Sequence, residues 1–288
     1  MVTLEIDKKE LDDDYLIRWG WDECADSPRD LYDNVGHLYT WTRDCDSPDE
    51  NAYESPQVFL ARELYELFTQ EELERAIREG RFNNLRFNTD SGEERLEGLY
   101  KNHLTGKTDW DTVNEYEEWK DLEVLVDVIA QCGAASALLR QKGVLMNVYR
   151  LEHSGVVYST SPFNDPWDSG QVGFIWARHD ELENLGYEND AVVEKVFAEE
   201  VALYSAWADG QTYWARLEKD GDCIDSCDGI IGDEELDDVF KAMEDKAKQH
   251  AADNAAKEAK ELDVAALRQA LKEVQTALQN AMRLLESE

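Results

Sequence analysis

The chain of 288 residues carries 29 Lys and Arg against 65 Asp and Glu, a formal net charge of −36, and 42% of it is hydrophobic, with 9 Trp, 12 Tyr and 8 Phe. That apolar content can bury a core and excludes a fully disordered chain, while 5 Pro and 16 Gly exclude a collagen-like or low-complexity one. No apolar run approaches the roughly 20 residues of a membrane span, the opening MVTLEIDKKELDDDY lacks the apolar stretch of a secretory signal, and the acidic balance disfavours direct binding to nucleic acid or an anionic membrane, where phosphate contacts need cations.

Residues 2–6 and 15–19 read as short strands, and Ser27-Pro28-Arg29-Asp30 as a turn. Residues 36–41 predict another strand, followed by an acidic loop over 44–55. Two helical patterns cover 57–68, with Phe59, Leu60, Leu64 and Leu67 on one face, and 70–79, which Gly80 stops. Residues 81–115 are polar without a clear period, which predicts a long loop or an insertion (81–118). A helix follows over 119–141, through Leu122, Val126, Ile129 and Leu138, with Gly133 marking a break.

VLMNVYRL and VVYSTS flank Glu152-His153-Ser154-Gly155 and predict a β-hairpin. The irregular PFNDPWDSGQ then leads into the strand-like VGFIWA. Residues 189–207 form a helix with Val192, Val196, Val201 and Tyr204 facing inward, 212–219 a strand, and 220–235 an acidic loop punctuated by Gly221 and Gly229. Residues 234–288 are helical by composition and contain no Gly or Pro. Within them Val264, Leu267, Leu271, Val274, Leu278, Ala281 and Leu285 repeat at spacings of three and four, a coiled-coil seam suited to self-association. Asp253-Asn254 and Asp263 are potential breaks, which predicts a helical hairpin.

The acid is unevenly placed. Residues 1–150 sum to −17, residues 151–240 to −18 and residues 241–288 to −1. Salt adaptation would be expected to acidify the exposed tail as well, so attraction of a basic partner weighs as much as solubility. The acidic loops offer Asp44, Asp46, Asp49, Glu50, Asp233, Glu234, Glu235, Asp237 and Asp238 for that contact. Cys24, Cys45, Cys132, Cys223 and Cys227 are odd in number and scattered, as free thiols in a reducing compartment would be.

Pro166, Trp167, Asp168, Ser169, Gly170, Gln171 and Gly173 form the most demanding local sequence. The structural expectation is that Asp168 and Ser169 stitch the loop while Trp167 plugs the core. The catalytic alternative is a hydrolase-like pocket using His153, Asp168, Ser169 and Cys227, although no G-x-S-x-G elbow accompanies them. Asp220, Asp222, Asp225 and Asp228 depart from the EF-hand pattern and read as a solvated loop. With no Walker A, G-x-G-x-x-G or H-E-x-x-H motif, neither a cofactor nor a metal is expected.

Three blocks carry a resemblance: Asp26-Ser27-Pro28-Arg29-Asp30 with Asp33-Asn34-Val35-Gly36-His37-Leu38-Tyr39-Thr40-Trp41; His153-Ser154-Gly155 with Ser161-Pro162-Phe163 and Pro166-Trp167-Asp168-Ser169-Gly170-Gln171-Val172-Gly173-Phe174-Ile175; and Asp225-Ser226-Cys227 with Gly229 and Gly232. In this order, over roughly residues 26–235, they resemble a family carried by phages, plasmids and integrative elements, whose members are mostly described as hypothetical proteins. The chain departs from that pattern at Asp165, where a Cys is common, and at Asp228, where a Trp is common, which weighs against a thiol role for the loop. The resemblance implies an accessory gene of a mobile element, for which antagonism of host defence is a common task; it carries over no catalytic residue.

The expectation is therefore an α+β fold with a mixed or antiparallel sheet, flanking helices and a coiled-coil-like helical C-terminal arm, divided into a core (1–235) and an arm (236–288). The expected function is non-catalytic: inhibition of a basic host defence complex of nuclease, restriction or CRISPR type, by steric occlusion or DNA mimicry, in the host cytoplasm. A small hydrolase-like enzyme and a salt-adapted scaffolding protein are the alternatives.

Overall fold

The computed structural model describes residues 5–90, 92–101, 105–113 and 118–285. The chain is α+β, with antiparallel sheets, flanking helices and a long C-terminal helix. It divides into two compact units, one formed by residues 1–25 with 210–288 and the other by 26–209. This differs from the expected core and arm, because the two ends of the chain share a sheet.

In the first unit, β1 (Glu5–Glu10), β2 (Tyr15–Trp21), β10 (Thr212–Lys219) and β11 (Asp222–Ile231) form a sheet in the order β1-β2-β10-β11. Residues 2–4 of the expected first strand lie outside the described residues. The expected loop at 220–235 is mostly strand β11. Asp220 and Gly221 adopt φ of +52° and +89°, a tight reversal that returns the chain along β10. The helix α8 (Asp233–Leu285) covers one face of this sheet. Leu236, Met243 and Ala247 pack with Tyr15, Ile17, Tyr213, Ala215, Leu217 and Ile230. Tyr15 Oη lies 2.7 Å from His250 Nδ1, and Lys9–Glu244 (2.5 Å) and Lys246–Asp225 (2.8 Å) link helix to strands.

The expected hairpin in the C-terminal arm is not formed. α8 is one helix through Asp253, Asn254 and Asp263. Without Gly or Pro, those polar residues sit in a helix at modest propensity cost.

In the second unit, β3 (His37–Thr40), β9 (Ser169–Arg178), β7 (Gly143–Glu152) and β8 (Val156–Ser159) form an antiparallel sheet in that order. Both faces are covered. Leu38, Val144, Val148, Ile175 and Ala177 pack against Val193, Phe197, Val201 and Tyr204 of α7 (Asp190–Ala208). Leu145, Phe174 and Trp176 face the other way, onto α2 (Pro56–Leu67), α4 (Leu122–Gln131) and α5 (Ala135–Leu139). Burial on both sides explains why VGFIWA reads as unbroken apolar sequence. The inward phase of α7 is one residue from expectation at its start: Val193 and Phe197 are buried, whereas Val192 is exposed.

Gly133, with φ of +70°, separates α4 from α5 at the predicted break. The expected loop or insertion at 81–118 holds a third antiparallel sheet, β4 (Leu85–Asn88), β5 (Arg95–Lys101) and β6 (Thr108–Thr112), seated by the fully buried Leu85 and Leu96. α3 (Gln70–Arg78) begins with a capping box between Thr69 and Glu72. Among the described residues, no helix is long and apolar enough to cross a membrane.

The short helix α1 (Pro28–Leu31) delivers Arg29, whose side chain is 3% exposed. Its guanidinium donates to Asp49 (2.7 Å), Glu200 of α7 (2.9 Å), Asn34 (2.9 Å) and the Gly36 carbonyl. Removing one member of a buried ion network strands the others. Arg29→Ala should lower the unfolding free energy by about 3 kcal/mol in urea titration, and Arg29→Lys should recover only part, since an ammonium lacks the forked donors.

Candidate functional site

The segment between β8 and β9 of the second unit is braced from within. Asp165 Oδ1 accepts the backbone N–H groups of Trp167 (2.9 Å) and Asp168 (3.1 Å), and Ser169 Oγ donates to the Asp165 carbonyl. These bonds form an Asx-type turn. The N–H groups of Asp168 and Trp167 hold the Asp165 carboxyl below the usual carboxylate range. Glu152 N–H donates to the Asp168 carbonyl at 2.9 Å, tying the loop to the β7 edge.

Ser169 stitches the loop as expected, but Asp168 joins the brace only through its backbone while its carboxylate faces His153; Asp165 takes part in all three bonds within the loop, and the expected place of Trp167 is overturned. Trp167 does not plug the core; it is 91% exposed. Its backbone is fixed by Asp165 while its side chain points into solvent, because a Pro–Trp turn held from inside leaves the indole outside. Pro166, Gly170 and Gln171 are exposed with it, whereas Gly173 is buried against the backbone of β3.

The hydrolase-like residues come together only in part. His153 Nδ1 lies 3.0 Å from Asp168 Oδ2, and both side chains are open, at 77% and 42% exposure. Ser154 takes a left-handed φ of +71° at the tip of the β7–β8 hairpin. The Ser169 hydroxyl is engaged by the Asp165 carbonyl. Cys227 belongs to the other unit, on β11, where burial and then the charges of Glu235, Asp228 and Asp225 push its thiol up. Such a thiol is a poorer nucleophile near neutral pH.

The acidic positions divide into two kinds. Asp49 is largely buried, bound by Arg29 and by the Leu38 N–H at 2.6 Å. Asp44 holds Arg150 through two bonds of 2.9 and 2.8 Å, and that contact lowers its carboxyl. Asp233 accepts from Tyr213 Oη, Glu235 from the Ile231 N–H, and Asp238 from Lys241, each at 2.8 Å. Asp46 and Glu50 in the second unit, and Glu234 and Asp237 in the first, are exposed and enter none of these pairs.

All five cysteines are free. Cys45 Sγ lies 3.0 Å from Thr42 Oγ1 and 3.6 Å from Tyr158 Oη. Among the described residues, no three His, Cys, Asp or Glu side chains are grouped to hold a metal ion. Of the aspartates at 220–228, Asp225 is paired with Lys246. On α8, Val264, Leu267, Leu271, Val274 and Leu278 are exposed, and the side chain of Leu285 lies outside the described residues. No protein-family model, curated protein or solved structure matches this chain.

The geometry separates the roles of neighbouring residues. Trp167→Ala should leave the melting temperature within about 1 °C of the parent, as expected for a surface side chain, whereas Asp165→Ala should lower it, both read by differential scanning calorimetry. Because the Asp165 carboxyl is depressed, its stabilising contribution is present above the ordinary carboxylate range near pH ~3.9 and is lost as pH falls through the lower folded value.

Proposed function

We propose that this chain is a non-catalytic acidic binding protein that inhibits a basic, nucleic-acid-binding complex of host anti-phage defence, acting in the host cytoplasm. The observation that carries the binding reading is Trp167, a large aromatic presented at 91% exposure on a loop whose backbone is braced. An indole carried on a preordered backbone meets a pocket at reduced entropic cost, and tryptophan is enriched among the residues that dominate protein interfaces. The net charge of −36 supplies long-range attraction to a basic surface, and unpaired carboxylates can occupy positions that phosphates otherwise hold. The resemblance to mobile-element accessory proteins supports the choice of a defence complex as the target.

Inhibition then follows from occupancy. The partner's cationic surface is covered, and nucleic acid is excluded either by the bulk of the bound protein or by direct replacement of phosphates. The two routes differ in salt sensitivity, because phosphate mimicry rests on charge and shape occlusion does not.

The test is capture of defence-complex components by tagged protein from a defence-proficient host lysate, at about 50 and about 500 mM salt, followed by competition with DNA for the captured complex. Trp167→Ala should weaken capture by at least about tenfold with no change in thermal stability. Reversing Asp46 and Glu50 to Lys, and separately Glu234 and Asp237, should weaken it most at low salt. Reversal at Asp44 or Asp49 is unsuitable, because it would break internal pairs. Capture indifferent to Trp167 and to all four carboxylates would overturn the proposal.

A further inference from the structure

We propose that the free half of α8 pairs with the same segment of a second copy of this chain as an antiparallel two-stranded coiled coil. The N-terminal half of the helix is occupied by its own sheet, the last residue packed there being Ala251. From residue 255 to residue 280 every side chain is exposed. Along this stretch Val264, Leu267, Leu271, Val274 and Leu278 are 47, 70, 59, 65 and 61% exposed, a row of large apolar side chains about 20 Å long. Helices of this kind owe most of their stability to packing of the apolar stripe rather than to propensity. The heptad positions between the two halves hold Asp253, Lys257 and Lys260, so the seam is separate from the sheet-packed face.

The phase places Val264, Leu271 and Leu278 at one core position and Leu267 and Val274 at the other. A copy running the opposite way sets Leu267 against Leu278 and Leu271 against Val274, each pair occurring twice. Four successive layers are then filled with Leu and Val. Flanking the seam, Arg268 faces Gln275 and Ala270 faces Ala277, so no like charges meet.

Charge sets the direction. Residues 241–288 sum to −1, whereas residues 1–25 and 210–240, the globular part of the same unit, carry −13. A parallel pair would bring two such acidic bodies to one end. In return it gains an exposed Asp263–Arg268 contact, of a kind that contributes little. The antiparallel pair sets the two Ala251 positions about 65 Å apart along the coil, many times the screening length of about 8 Å at physiological salt. This inference is independent of the Trp167 reading, and either can fail alone.

The test combines solution mass with directional cross-linking of the full chain. Light scattering should give a dimer for the parent and a monomer for Leu267→Lys/Leu271→Lys, with the melting of the globular units unchanged. Leu267→Cys and Leu278→Cys proteins, oxidised separately and then as a mixture, should form a new disulfide-linked dimer only when mixed, with position 267 joined to 278 by peptide mass. A monomeric parent, a trimer or tetramer, a 267–267 link, or a dimer lacking the 267–278 link would each overturn the proposal.

Discussion

The unit formed by residues 26–209 closes on one buried cation. Burial alone would lower the pKa of the Arg29 guanidinium; Asp49 and Glu200 more than offset this and hold it above the ordinary arginine value. Through it, α1, the acidic loop, the entry to β3 and α7 are drawn to one point. The surrounding residues serve that geometry. Ser27 caps α1, Pro28 occupies its first turn, and Asn34 folds the following turn with its amide on the Tyr32 carbonyl. At Gly36 a Cβ would lie 2.6 Å from Ile175 Cγ1 and 2.7 Å from the Phe197 ring, so only glycine lets the strand approach. Ser27, Pro28, Arg29, Asn34 and Gly36 are thus accounted for by folding. On the opposite face of the same sheet, the buried Glu63 carboxylate binds Trp176 Nε1 and Arg178 in a second, smaller version of the arrangement.

This internal use of charge changes the meaning of −36. Five of the nine carboxylates singled out for partner contact, Asp44, Asp49, Asp233, Glu235 and Asp238, accept hydrogen bonds within the chain. A buried or paired carboxylate contributes to the far field but cannot readily be given up to a partner. What is displayed is the remainder, Asp46 and Glu50 in one unit and Glu234 and Asp237 in the other. The exposed Trp167 and the exposed acid are therefore separate features of this chain, set by different residues.

The α+β class was legible because helical and strand periods differ and most segments obeyed one of them. Phe59, Leu60 and Leu64 line the buried face of α2, and Gly133 breaks the following helix. The failures have local causes. β4–β6 are short and charged, and their burial rests on isolated residues such as Leu85 and Leu96, too few to make a period. β11 was hidden by its aspartates, although Asp220-Gly221 is a strong hairpin dipeptide. Hydrophobicity alone places Trp167 in the core, whereas its backbone is fixed by hydrogen bonds to Asp165 and its side chain is exposed. In the arm, polar residues suggested breaks that nothing in the backbone enforces. The pairing of His153 with Asp168 was visible as residue types, but the engagement of Ser169 by the loop itself was not.

The discontinuous unit has a consequence for the order in which the chain can acquire structure during synthesis. The β1–β2 hairpin is made before the rest of its sheet, yet the second neighbour of β2 is β10, with Trp21 set opposite Tyr213. At about 5–20 residues per second, the intervening segment takes roughly 10–40 s to make. During that time the hydrophobic side of the hairpin, with Tyr15 and Ile17, is without the strand and helix that later enclose it. Residues 26–209 have all their own strands in hand before then and can fold as they emerge. The nascent chain therefore carries a complete 26–209 unit while the β1–β2 hairpin is unfinished, and β10, β11 and α8 complete that hairpin's sheet later.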